Sequence, residues 1–191
     1  MESIDALKKQ IRKQAVAARA ALTGDQRRAK SLIIAEKLFA SPAWNRAQIV
    51  CVYVWFKNEV QTDAILDQAW QEGKTVAVPF CCNDQPEKIR LYRLDNRSPL
   101  EPGAFGILEP AESWRNQPGS CVAESQIDLY VVPGVGFDGQ NNRIGWGGGY
   151  YDRLLSRSPN AAKVALAFRC QLFDCVPVGE FDIPLDQIIT D

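Results

Sequence analysis

Ile49-Val-Cys-Val-Tyr-Val-Trp55 is apolar at every position. A strand with one face in water alternates apolar and polar residues. An unbroken run therefore belongs to a sheet covered on both faces, the setting of parallel strands joined by helical crossovers. Leu129-Tyr-Val-Val132 has the same character. The chain around these runs alternates helix and strand patterns as that architecture requires. Ile4, Leu7, Ile11, Ala15, Ala18 and Leu22 mark one face of a first helix. Thr23-Gly-Asp-Gln26 is a capping box for a second, predicted to stop at Ser41-Pro42. Thr62-Asp63 opens a helix ending at Gly73, and Thr75-Val-Ala-Val78 is the next strand. Further strands are predicted at Ile89 to Leu94, Leu129 to Val132 and Lys163 to Phe168, with a helix starting near Tyr150. Residues 95–125, with Pro99, Pro102, Pro110 and Pro118, read as a long irregular excursion. The alternation predicts a three-layer α/β fold with a mainly parallel sheet and helices on both faces, one domain over residues 1–191. Ligands of such sheets bind beyond the carboxyl ends of the strands. The loops at 56–62 and 133–149 are thus expected to face one crevice.

Seven of the thirteen glycines lie between Gly134 and Gly149. Packing does not call for so many residues that cost backbone entropy and bury no side chain. Strand, glycine loop and helix start together offer bare N–H groups and a positive dipole end to an anion, which points to phosphate. Two motif matches fail on inspection. Gly134-Val-Gly136-Phe-Asp-Gly139 is a literal G-x-G-x-x-G, but no helix opens at its last glycine, and where a ribose-binding acid belongs stand Leu154, Leu155, Ser156 and Arg157. Gly73-Lys74-Thr75 imitates the end of a Walker A loop, but the glycine required five residues earlier is Gln68. Gly73 reads instead as a helix C-cap.

Composition removes whole classes of function. A net charge of −1 argues against a nucleic-acid surface or an anionic membrane as the main partner. No apolar run approaches ~18 residues, and the N-terminus is an amphipathic helix rather than a signal peptide, so a cytoplasmic protein is expected. Cys51, Cys81, Cys82, Cys121, Cys170 and Cys175 form no C-x-x-C and are expected to be reduced and mostly buried. The chain has no histidine, which excludes Ser-His and Cys-His pairs and an imidazole base. An enzyme with this composition works through carboxylates, cations, backbone dipoles and bound metal.

Pro133-Gly-Val-Gly-Phe-Asp138 followed by Arg143-Ile-Gly-Trp-Gly-Gly-Gly-Tyr-Tyr-Asp152 resembles the signature of the 5-formyltetrahydrofolate cyclo-ligase family, also called 5,10-methenyltetrahydrofolate synthetases. The likeness extends to Lys8-Lys-Gln-Ile-Arg12, Glu59-Val-Gln-Thr62 and Asp182-Ile-Pro-Leu-Asp186. It implies a Rossmann-like sheet similar to the NagB/RpiA/CoA-transferase-like fold. It also implies ATP-dependent cyclisation of 5-formyltetrahydrofolate to 5,10-methenyltetrahydrofolate, with Mg²⁺ as cofactor and a monomer as the working form.

By that resemblance Lys8, Arg12 and Arg143 contact ATP phosphates; on pattern alone, Lys8, Arg12 and Arg19 could equally be a solvated helix face. Ile144, Gly145, Trp146, Gly147, Gly148, Gly149, Tyr150 and Tyr151 form the ATP loop, and Trp146 to Tyr150 also meet the folate. Trp146 is a candidate stacking surface, whereas one or both tyrosines are expected to pack. Asp152 and Asp182 are the implied Mg²⁺ carboxylates; Asp152 could instead cap the helix, and Asp186 is a weaker candidate. Arg143 and Asp152 are the implied catalytic pair. Phe56 and Gln61 are the implied folate contacts, although the family usually has an acid where Gln61 stands, a task Glu59 could take over. Asn141 replaces a frequent glycine and should tolerate positive φ. The rival reading is a non-catalytic sensor of a phosphorylated metabolite on the same fold. Such a sensor has no use for two acids beside the phosphates.

Overall fold

The computed structural model describes residues 3–82, 89–103 and 106–191. Helices α1 (Ile4–Ala20), α2 (Gly24–Phe39) and α3 (Pro42–Arg46) precede strand β1 (Ile49–Val52). Helix α4 (Asp63–Gln71) leads to β2 (Thr75–Cys81), β3 (Ile89–Leu94) and a small hairpin, β4 (Leu100–Pro102) with β5 (Leu108–Pro110). Then come α5 (Glu112–Arg115), β6 (Cys121–Val122), β7 (Leu129–Val132), β8 (Gly136–Asp138), β9 (Arg143–Ile144) and α6 (Tyr150–Ser156). The chain closes with β10 (Ala162–Ala167), β11 (Leu172–Phe173) and β12 (Gln187–Thr190).

The main sheet has the order β12-β10-β7-β1-β2-β3-β6. Its first five strands run parallel, and β3 and β6 add an antiparallel edge. Both faces are covered, as the apolar runs require. Val50, Val52, Leu129, Val131, Val164 and Leu166 point into one core with residues of α2 and α4. Cys51, Tyr130, Val132, Ala165 and Ala167 point the other way, against Leu154 and Leu155 of α6. Each fully buried aliphatic side chain of this kind contributes about 1.5–3 kcal/mol. Strands β11, β8 and β9 form a second, three-stranded sheet beyond β7. Among the described residues, no helix is long and apolar enough to cross a membrane.

The capping box is present: Thr23 Oγ1 accepts from Gln26 N–H at 3.2 Å, and Gln26 Oε1 accepts from Thr23 N–H at 2.9 Å. Ser41-Pro42 does not merely end a helix. Ser41 accepts from Trp44 N–H at 3.2 Å and starts α3, with proline in its first turn where a missing N–H is harmless. The excursion at 95–125 is more ordered than its prolines suggest, holding β4, β5, α5 and β6. None of the six cysteines is in a disulfide, but only Cys51 and Cys82 are buried; Cys81, Cys121, Cys170 and Cys175 are exposed at strand ends, an edge strand and turns. Packing also explains two glycines that the sequence assigned to ligand binding. A Cβ on Gly134 would lie 2.4 Å from the buried Phe137 ring, and one on Gly136 would lie 2.9 Å from Ile11 of α1.

Candidate active site

Strands β1 and β7 are parallel neighbours paired Val50↔Leu129 to Val52↔Val131, so the loops that follow them leave the sheet side by side. Helix α1 crosses this end of the molecule. Ser3 caps it by accepting from Ala6 N–H at 3.3 Å, and the helix lays Lys8, Arg12 and Arg19 against the glycine loop and its neighbours. Arg12 Nε donates to the Gly145 carbonyl at 2.8 Å. Its terminal nitrogen stands 3.4 Å from where a Cβ on Gly147 would be, and Gly147 has φ +102°. A side chain there would be both strained and in the way of the guanidinium. Gly149 takes a left-handed conformation (φ 63°) to turn the chain into α6 and gives its first N–H groups no side-chain cap. Trp146, Gly147 and Gly148 are exposed, whereas Ile144 is a core residue.

Two ion pairs meet beneath the loop. Arg143 donates to Asp152 Oδ1 at 2.7 Å, with its side chain only 4 % exposed. Its guanidinium also lies 5.9 Å from the Tyr151 ring centre, and its Nε has no partner among the described residues. Lys8 pairs with Asp182, which accepts from Gly179 N–H at 2.7 Å. Burial opposes charge on Asp182, but the Gly179 N–H, Lys8 and then Arg143 outweigh it and hold the carboxyl below its usual range. The pairs are also tied through backbone, since Ile183 N–H approaches Asp152 Oδ1 at 3.4 Å. Asp152 stands in the first turn of α6, where an acid suits the dipole, and its carboxylate bonds Arg143 and Ile183 N–H. Asp186 stands apart, accepting from Lys163 N–H at 2.7 Å at the start of β10. Asn141 has φ 64° and bonds the Asp186 carbonyl through Nδ2 at 3.3 Å.

Mg²⁺ takes near-octahedral oxygen ligands and often only one or two carboxylates, the rest being phosphate and water. Asp152 and Asp182 match that demand by chemistry and proximity, each retaining acceptor capacity beyond its cation. Among the described residues, no three carboxylate or thiol side chains converge on one point, so an all-protein cage is not offered.

The loop after β1 supplies the other wall. A turn brings Glu59 N–H to the Phe56 carbonyl at 3.1 Å, and Glu59 Oε2 accepts from Phe56 N–H at 3.1 Å. Burial pushes the Glu59 carboxyl above its ordinary value, against opposing pulls from Arg19, the Phe56 N–H and the Trp146 indole. Gln61 is fixed through its backbone, donating to Ser31 Oγ on α2 at 2.9 Å. Glu59 thus faces the glycine loop through the Trp146 indole. Arg19 also differs from the solvated face its pattern allowed. It is 3 % exposed, lies 5.7 Å from the Trp146 ring and reaches the Gly134 carbonyl at 3.5 Å, with Nε unpartnered among the described residues. Its place one heptad after Arg12 on the same helical stripe was the available signal.

A sequence model described as the 5-formyltetrahydrofolate cyclo-ligase family matches residues 4–191. The chain belongs to that family. It is 30 % identical to the 5-formyltetrahydrofolate cyclo-ligase of Escherichia coli K12 over 90 % of this chain and 93 % of that protein. It is 28 % identical to the mouse enzyme of the same name over 88 % and 86 %. The solution structure of Aquifex aeolicus 5,10-methenyltetrahydrofolate synthetase superposes with a TM-score of 0.81 at 34 % identity, covering 96 % of this chain and 89 % of that one. The Mycoplasma pneumoniae synthetase gives 0.75 at 26 % identity, covering 96 % and 98 %. Membership of this family makes the chain an enzyme and sets aside the sensor reading.

Proposed function

We propose that the protein converts 5-formyltetrahydrofolate to 5,10-methenyltetrahydrofolate at the expense of ATP, with Mg²⁺ as cofactor, in the cytoplasm. The observation that carries this reading is the arrival of Lys8 and Arg12 from α1 at Asp182 and at the Gly145 carbonyl of the glycine loop, beside the Arg143–Asp152 pair. The formyl oxygen, made nucleophilic by donation from its amide nitrogen, attacks the γ-phosphorus and ADP leaves. N10 then bonds to the activated formyl carbon, phosphate departs with the formyl oxygen, and N10 loses its proton. Phosphoryl transfer of this kind asks the protein for position and charge neutralisation more than covalent help. Arg12 spends only Nε on Gly145, and Arg143 one terminal nitrogen on Asp152, so both keep donors for phosphate oxygens. Asp152 and Asp182 would hold the metal, which when bound neutralises phosphate charge. Trp146 offers an exposed face for a flat ring, and Glu59 faces the same loop from the folate side.

The test is incubation with ATP, Mg²⁺ and 5-formyltetrahydrofolate. Methenyltetrahydrofolate absorbance and ADP are expected to rise in equal amounts, and metal chelation is expected to stop both. ATP hydrolysis independent of folate would overturn the assignment.

A further inference from the structure

The loop after β1, which also carries Glu59, and the β4–β5 hairpin enclose a cleft of about 270 Å³. Its walls are apolar, made by Val54, Trp55, Phe56, Leu66, Leu100 and Leu108. Three charged side chains line it: Lys57, Asp63 and Arg97. Two of these are committed to each other and to the scaffold. Asp63 accepts from Trp55 Nε1 at 2.5 Å and stands 3.7 Å from Arg97. Arg97 also pairs with Asp67, donates to the Asp63 carbonyl at 2.7 Å and lies 5.2 Å from the Trp70 ring centre. Lys57 differs. Its Nζ lies 4.9 Å from the Phe56 ring centre, and none of the ion pairs among the described residues includes it. The cleft therefore carries one positive charge in excess.

The backbone of Lys57 is the second observation. It has φ 54°, one of two non-glycine residues among those described with positive φ. Asn141, the other, is a residue type that tolerates this region; lysine is not. The conformation is enforced by the two Phe56–Glu59 hydrogen bonds that close the turn. Strain of this sort survives where the surroundings over-determine it, and it gathers at ligand clamps. Here it holds a cation at the mouth of an apolar cleft, on the same turn that aims Glu59 at the glycine loop.

Building on the folate reading, we infer that this cleft seats the p-aminobenzoyl arm of the substrate and that Lys57 binds the glutamate carboxylates at its end. The fit rests on chemistry and size. A flat aromatic amide suits walls of Trp55, Phe56 and leucine, and the anionic group that follows it matches the one uncommitted charge. A volume of about 270 Å³ falls below the roughly 300–1,000 Å³ that encloses a whole drug-sized ligand, so the cleft suits one arm of the folate. A neutral aromatic ligand would leave Lys57 without a role.

The experiment compares 5-formyltetrahydrofolate with 5-formyltetrahydropteroate, which lacks the glutamate, in the parent enzyme and in Lys57→Gln, Lys57→Glu and Lys57→Arg. An exposed ion pair of this type is worth about a 1.5- to 5-fold change in affinity. Lys57→Gln is therefore expected to raise the folate KM by about that factor, Lys57→Glu by more, and Lys57→Arg to recover most of it. The KM for ATP should hold steady. The folate KM of the parent should rise with salt, and this dependence should flatten in Lys57→Gln. Equal KM shifts for the pteroate, or none for the folate, would overturn the inference. Binding of p-aminobenzoylglutamate alone, followed by NMR shifts of the Trp55 indole, tests the cleft without turnover. If the parent converts neither substrate, the folate reading fails; if it converts both and the Lys57 variants behave alike, only the tail site fails.

Discussion

Removing Asp152 should unfold the protein more readily as well as slow it. The Arg143 side chain is 4 % exposed and that of Asp152 20 % exposed. Deleting one partner of a buried pair costs about 3–5 kcal/mol, since the survivor is left charged in a poorly solvated place. Two features put this pair at the lower end: Asp152 keeps some solvent contact, and Asp182 presents Arg143 with a second negative charge. About 3 kcal/mol at roughly 2–4 °C per kcal/mol gives a fall of about 6–12 °C in Tm for Asp152→Ala. Asp152→Asn retains an acceptor and should fall less. The double variant Arg143→Met/Asp152→Leu removes both charges and should recover much of the loss, because an apolar pair often replaces a buried ion pair without penalty. Thermal melts followed by circular dichroism read all three. If Asp152→Ala melts with the parent, or the double variant melts below it, the pair is not the buried interaction described here. Activity of Asp152→Ala then has to be measured well under its own Tm before any loss of kcat or of Mg²⁺ response is assigned to chemistry.

Gly134→Ala would place a methyl group 2.4 Å from a Phe137 ring that is fully buried and has little room to move. A loss of about 1–3 kcal/mol is expected in urea unfolding, and an unchanged midpoint would show that the ring can shift. Arg19→Gln removes a cation that opposes the burial-driven rise of the Glu59 carboxyl, so that group should protonate at still higher pH. If Glu59 acts ionised, the acidic limb of kcat/KM moves upward in pH and Arg19→Lys moves it back; a stationary limb would separate Glu59 from the rate.

The central strands were legible because each side of a doubly covered sheet demands apolar residues, and Ile49–Val52 and Leu129–Val132 supply them without a break. Helix starts were legible where a side chain states them, as at Thr23. Ser41-Pro42 misled because the same pair both stops one helix and starts another. The prolines of 95–125 suggested an irregular excursion, yet Pro102 and Pro110 sit in a short hairpin whose ladder is too brief to need a donor at those positions. At the site, the glycine loop and its cations could be read from residue type and spacing. The stripe shared with Arg12 pointed Arg19 toward the site but not to its burial, since the indole of Trp146 and the carboxylate of Glu59 reach it only after the sheet brings three distant segments together.

Helix α1 buries only Ala15 and Arg19 fully, and three of its cations reach the Gly134 and Gly145 carbonyls and Asp182 on distant segments. The first helix is thus fastened in part by Lys8 and Arg12, the same groups that would hold a polyphosphate. Detaching it and emptying the site become one event. A nucleotide that bridges those cations to the loop favours the attached state by mass action and none other. Amide protons of residues 4–20 should then exchange at a pace set by nucleotide concentration, while those of the central strands keep the slow clock of the whole fold.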